Sequence, residues 1–250
     1  MILYNNERID YVNDDINLIQ KKDGLTFGTD ALLLAAFIKK SPKSIAIDFG
    51  AGTGIISLLC STREKFKSVY AVEAQNDFYD VVCRNILLNN LTEKIFAIHK
   101  DVRDLSYNDL GVEADVIFSN PPYMRHDSGK TNDNDYKTIA RHEILGDIRD
   151  FCLSACKNLK HGGKFYVVYR PERMTELFYF MREAKLEPKR LCFVCPDNSS
   201  SPSLILVEGK KGASPSIRID KPLIMYSNKE HTVYTEDFAY IYNNGNFKED

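Results

Sequence analysis

From Ser44 onward the chain repeats one rhythm: a short apolar run, a glycine or polar turn, then an amphipathic stretch. The apolar runs are SIAIDFG (44–50), SVYAVEA (68–74), IFAIHKD (95–101), ADVIFSN (114–120) and KFYVVYR (164–170). Between them lie helix-like segments: IISLLCSTREK, DFYDVVCRNILLNN, a long one spanning roughly Ile139–Leu159, and MTELFYFMREAKL after the fifth run. Apolar runs alternating with helices specify a parallel sheet covered on both faces. Two more runs, RLCFVCP and SLILVEG, are joined only by Asp197–Pro202. That link is too short for a parallel crossover, so the pair is expected to be an antiparallel hairpin. The expectation is an α/β, doubly wound, mostly parallel seven-stranded sheet ending in that hairpin.

Outside this core the pattern changes. The first stretch, ILYNNERIDYVNDDINLIQ, alternates as a short hairpin around an Asn-Asn-Glu-Arg turn. Thr29 and Asp30 read as a cap on ALLLAAFIKK, with lysines in its last turn. The tail from Ala213 is polar with scattered aromatics and is expected to pack over one edge. The chain is expected to be a single domain over 1–250: a closing segment over 1–43, a core over 44–208 and a tail over 209–250.

Composition excludes several classes. At 44% hydrophobic and 27% charged the chain reads as a soluble globular protein. Its longest apolar stretch, Ala31–Ile38, is too short to cross a bilayer. The N-terminus lacks a basic segment followed by an apolar one, so the expected location is the cytoplasm. A net charge of −2 rules out a globally basic nucleic-acid binder, yet lysines and arginines cluster locally. Six cysteines are present, with Cys192 and Cys195 in a CxxC and Cys152 and Cys156 spaced i,i+4. The CxxC falls in a strand, where positions i and i+3 face opposite sides, so no metal is expected. No oligomeric state is read from the sequence.

The first core strand ends in Asp48-Phe49-Gly50-Ala51-Gly52-Thr53-Gly54. Glycines at such a corner allow a sharp turn and close approach of a ligand. GxGxG is tighter than the dinucleotide fingerprint. Glu73, ending the second strand, can accept from ribose hydroxyls, which fits any nucleoside ligand. Asp101 can accept from an adenine amine beside a backbone N–H of Val102, or can cap a turn. Asp48 suits an ammonium group or water, or else backbone donors.

Asn120-Pro121-Pro122-Tyr123 follows the fourth strand and selects the chemistry. An amine on a planar ring is a poor nucleophile because its lone pair is delocalised. The Asn120 side-chain oxygen and the Pro121 carbonyl can grip its two hydrogens and turn the lone pair outward. Pro121 and Pro122 bring no N–H to compete. Tyr123 can stack on the ring. No strong base is required, since positioning and acceptors lower the barrier.

With these motifs the chain resembles class I, Rossmann-like methyltransferases that act on amino nitrogens. Over essentially its whole length it resembles the bacterial tRNA(Val) adenine-N6 methyltransferase family. Phe27-Gly28-Thr29-Asp30, Ala140-Arg141-His142-Glu143 and Pro222-Leu223-Ile224-Met225-Tyr226 carry the match alongside GxGxG and NPPY. The resemblance implies S-adenosyl-L-methionine as cofactor and the N6 of an adenine 3′ of the tRNA anticodon as target. It also implies that Phe27, Thr29 and Asp30 close over a cofactor held by Asp48, Gly50, Gly52, Gly54, Glu73, Asp101, Val102 and Asn120. The polar segment 124–137 reads as a mobile lid or an RNA-contacting loop. Arg125, Lys130, Lys164, Arg170 and Arg173 are the expected phosphate contacts. The alternatives are a release-factor glutamine-N5 methyltransferase, since NPPY grips an amide equally well, and a non-catalytic cofactor-binding module. A DNA adenine methyltransferase lacks room for a recognition domain, and a nicotinamide dehydrogenase leaves NPPY unexplained.

Overall fold

The computed structural model describes residues 3–22, 27–122 and 146–248. Five parallel strands fill its middle: β3 (Ile45–Phe49), β4 (Ser68–Glu73), β5 (Ile95–His99), β6 (Ala114–Ser119) and β7 (Leu159–Tyr169). Ile47, Phe49, Ala71, Ile117 and Val167 are wholly buried, which is why these strands lack polar alternation. β9 (Leu204–Lys211) pairs antiparallel with β7 on one side and β8 (Leu186–Cys195) on the other. The expected doubly wound sheet and its terminal hairpin are both present.

Among the described residues the sheet has nine strands, not seven. The two additional ones, β10 (Arg218–Ile219) and β11 (Leu223–Ile224), are two residues each and pair parallel along β8. They cover the backbone edge that β8 leaves open, and two-residue strands carry no periodicity to read. The tail therefore does pack on an edge.

One face of the sheet is covered by α1 (Thr29–Phe37), α2 (Ile55–Thr62), α3 (Asn76–Leu88) and α7 (Glu236–Asn244). The other carries α4 (Tyr107–Leu110), α5 (Ile148–Asn158) and α6 (Met174–Glu183). α1 is buried nearly all round, with Ala31 through Ile38 each at most 8% exposed. Its C-terminal carbonyls are satisfied from elsewhere: the buried Lys65 ammonium donates to Ala35 O at 2.7 Å and Ile38 O at 2.6 Å. No described helix is long and apolar enough to cross a membrane.

Four local expectations change. The N-terminal hairpin pairs β1 (Glu7–Asn13) with β2 (Ile16–Lys21), but it turns at Asp14–Asp15. There the Asp15 N–H donates to Asn13 Oδ1, an Asx turn that the upstream Asn5–Asn6 pair does not make. α1 is preceded by Gly28 in an extended conformation, so Thr29 and Asp30 are its first helical residues and not its cap. Its last turn contains no lysine, since the helix stops at Phe37. Among the described residues α5 begins at Ile148, because Gly146 has φ +75° and Asp147 with Asp150 forms a capping box.

Candidate active site

The sheet order makes β4 and β6 the two neighbours of β3, so three strand ends converge. Phe49 lies opposite Val72 on one side and Ser119 on the other. With strands about 4.8 Å apart, Glu73 and Asn120 flank the glycine turn. The Ser119 hydroxyl donates to Phe49 O at 2.8 Å and ties the two ends together.

The turn uses its glycines for conformation: Gly50, Gly52 and Gly54 have φ of +67°, +59° and +81°. The Gly50 and Ala51 N–H groups both reach back to Val72 O at 3.0 Å. A Cβ added at Gly52 would have no neighbour within 4 Å, so a ligand can approach that backbone closely. Gly54 is the N-cap of α2.

Two buried carboxylates support the turn. Glu73 accepts from the Gly52 N–H and the Gln75 N–H, each at 2.8 Å. Burial pushes its pKa above the ordinary range, against the pull of those backbone donors. A carboxylate oxygen can take more than one donor, so a ribose hydroxyl can join those already bound. Asp48 is 1% exposed and accepts from the Ser57 hydroxyl through Oδ2 at 2.7 Å. Its Oδ1 is buried without a hydrogen-bond partner. Burial pushes the Asp48 pKa up to about 7 despite the Ser57 hydrogen bond. Such an oxygen matches a cationic donor. Ser57, one turn into α2, escaped sequence reading because nothing in its spacing marks it as a partner of Asp48.

Asp101 sits at the next strand end, where its Oδ1 accepts from the Arg103 N–H at 2.8 Å and its Oδ2 pairs with Arg103 Nη2 at 2.6 Å. Burial raises its pKa, but the hydrogen bonds and charge of Arg103 outweigh that and hold it low. The turn-capping alternative is therefore realised, and contact with an adenine amine must share the carboxylate with Arg103. Val102 is buried, and its carbonyl accepts from the Ser154 hydroxyl. Phe27 is half-buried against the core, and its N–H donates to Gln20 Oε1 at 3.0 Å. Thr29 is exposed and Asp30 half-buried at the start of α1.

Asn120 and Pro122 are half-buried and Pro121 is buried, forming the corner that follows β6. Tyr123, Arg125, Lys130, the segment 124–137 and Ala140–Glu143 lie outside the described residues. The remaining expected phosphate contacts separate. Arg170 and Arg173 follow β7 at the same sheet edge as Asn120; Arg170 Nη1 donates to Ser203 O at 3.2 Å, while Arg173 pairs with Glu176 over the Tyr169 ring. Lys164 lies level with Val116, nearly the length of β6 away, and pairs with Glu208 at 2.9 Å. It is thus far from the corner and already neutralised.

Known proteins resemble this chain in sequence and in fold. A protein of Flavobacterium johnsoniae named tRNA1(Val) (adenine(37)-N6)-methyltransferase is 26% identical over 88% of this chain and 91% of its own. A protein of the same name from Pseudoalteromonas translucida is 27% identical over 89% of this chain and 86% of its own. Among solved structures, one described as a predicted O-methyltransferase from Agrobacterium tumefaciens superposes with a TM-score of 0.68 at 21% identity, covering 86% of this chain and 96% of that one. TYW2 of M. jannaschii in complex with AdoMet gives 0.55 at 18% identity, over 84% and 89%. At such identities the structural likeness is one of fold. The family model described as Methyltransferase small domain matches residues 21–184, from the end of β2 through the glycine turn, Glu73 and the Asn120 corner to the end of α6. That span is more than half of the chain, and this protein belongs to the Methyltransferase small domain family.

Proposed function

We propose that this methyltransferase binds S-adenosyl-L-methionine at the glycine turn and methylates the exocyclic N6 of an adenine in tRNA, the adenine at position 37 of tRNA1(Val). The observation that carries this reading is the register that sets Asn120 and Pro121 beside Gly50, next to the closely approachable Gly52 backbone. The residues fit the cofactor: Glu73 has acceptor capacity for the ribose, and the lone Asp48 Oδ1 suits the ammonium end. When bound, the cofactor supplies an electrophilic methyl on sulfur.

The chain's own residues then do three things. The Asn120 oxygen and Pro121 carbonyl accept the two amine hydrogens and aim the lone pair at the cofactor side. Tyr123, next along the chain, stacks on the adenine. Arg170 brings positive charge to the same sheet edge, where the phosphates of an unpaired loop can pass, and Arg173 joins it by exchanging Glu176 for a phosphate. The names of the curated relatives support adenine 37 of tRNA1(Val) as the target. We read the described residues as one domain, since hairpin, sheet and tail share a continuous core; a tRNA substrate supports a cytoplasmic location.

The test is incubation of the protein with labelled cofactor and total tRNA, followed by nucleoside mapping. N6-methyladenosine at position 37 of tRNA1(Val) is the expected product. Label on glutamine of a purified release factor, with none in tRNA, establishes the glutamine alternative instead. Cofactor binding with no transfer to either substrate leaves the non-catalytic module.

A further inference from the structure

We propose that Asn85, on α3, is a positioning residue that locks the N-terminal hairpin and the cofactor turn into one unit. This rests on the reading of the glycine turn as the S-adenosylmethionine site. Asn85 is wholly buried, yet it lies within the last turn of α3, where asparagine is a weaker helix former than leucine or alanine. Its amide makes three hydrogen bonds to backbone. Oδ1 accepts from the Ile19 N–H at 2.7 Å, and Nδ2 donates to Ile19 O at 3.0 Å and to Thr53 O at 2.9 Å.

One helical turn later, Asn89 repeats the first half of this pattern. It accepts from the Asn17 N–H at 2.9 Å and donates to Asn17 O at 2.8 Å. The match is geometric: four residues of helix rise about 6 Å, and two residues of strand advance about 6.6 Å. Two asparagines at i and i+4 thus act as a substitute strand along the edge of β2 that β1 does not pair.

Asn89 holds the hairpin and, through the Asn85 carbonyl at 2.8 Å, its own helix. Asn85 also holds Thr53, the residue between Gly52 and Gly54. Next to Ile19, Gln20 accepts from the Phe27 N–H, which extends the same connection to the segment entering α1. A single side chain therefore joins the glycine turn to β2, the strand that precedes α1. Asn85 adds a tie at Thr53 to those that Glu73 makes at Gly52 and Val72 makes at Gly50 and Ala51.

Titration of the full-length protein with S-adenosylmethionine by calorimetry, paired with thermal melts, tests this. Asn85→Ala should weaken cofactor affinity by on the order of tenfold, the loss of one or two backbone-directed hydrogen bonds. KM for the cofactor should rise in parallel, while kcat at saturating cofactor stays within about threefold because the Asn120 corner is untouched. Asn89→Ala should lower the melting temperature comparably and leave cofactor affinity within about twofold. Should Asn85→Ala fail to fold, Asn85→Ser removes the same donors with a smaller cavity and must give the same split. Equal melting losses with unchanged affinity in both variants overturn the inference. So does an equal loss of affinity in both, which assigns the effect to hairpin docking in general. Wild-type protein that binds no S-adenosylmethionine overturns the cofactor reading and the inference with it. Wild-type binding with an unaffected Asn85→Ala overturns the inference alone.

Discussion

Replacing Asp48 by asparagine should make the cofactor-free protein more stable and the cofactor-bound state weaker. The carboxyl is 1% exposed, has one hydroxyl donor from Ser57 and holds Oδ1 without a partner, so burial raises its pKa to about 7. In the unfolded chain it titrates near 4. Between those values the folded protein keeps a proton that the unfolded chain has released. Its contribution to stability is therefore full below about pH 4 and is lost as the pH rises through about 7. At about 1.36 kcal/mol per pH unit, the loss reaches on the order of 4 kcal/mol. The amide introduced by Asp48→Asn does not ionise and keeps an acceptor for Ser57, so the variant escapes this loss. Urea denaturation without cofactor, run between about pH 5 and pH 8, should show the stability difference between variant and wild type widening as pH rises. Glu73 is present in both proteins, and its like charge is the smallest of the causes that act on Asp48. Calorimetry with S-adenosylmethionine should show the reverse order in affinity, because only the carboxylate can pair with the ammonium. A stability difference that is constant over this pH range refutes the assignment of a buried, proton-holding Asp48.

Asn120→Ala should lower turnover by roughly 10²–10³-fold at saturating tRNA and cofactor, a far larger effect than its effect on cofactor affinity. Gly52→Val should abolish cofactor binding in a protein that still folds, since φ is +59° but no neighbour lies within 4 Å of the new Cβ; unchanged affinity in calorimetry refutes the site. Charge reversal at Arg170 or Arg173 should weaken tRNA binding and reduce its log–log salt slope by about 0.7 per lost phosphate contact, with cofactor affinity unaltered. Lys65→Met should cost roughly 3 kcal/mol in urea denaturation, because the Ala35 and Ile38 carbonyls lose their buried donor.

Much of this protein is written locally. The alternation of apolar runs with helices determined a doubly wound sheet, because a strand buried on both faces has no polar periodicity to display. Gly50, Gly52, Gly54 and the Asn120–Pro122 corner were legible because their backbone demands restrict residue type at fixed spacing. What the sequence did not carry was partnership at long range. Nothing local says that Lys164 is spent on Glu208 of a neighbouring strand, or that Arg170 and Arg173 come to the sheet edge that carries Asn120. Two-residue strands such as β10 and β11 exist only because β8 has an open edge for them to meet. Asn85 and Asn89 read as ordinary helix asparagines until β2 lies beside them. A hydrogen bond between residues 66 positions apart depends on how helix and strand are packed, and only the tertiary structure decides that.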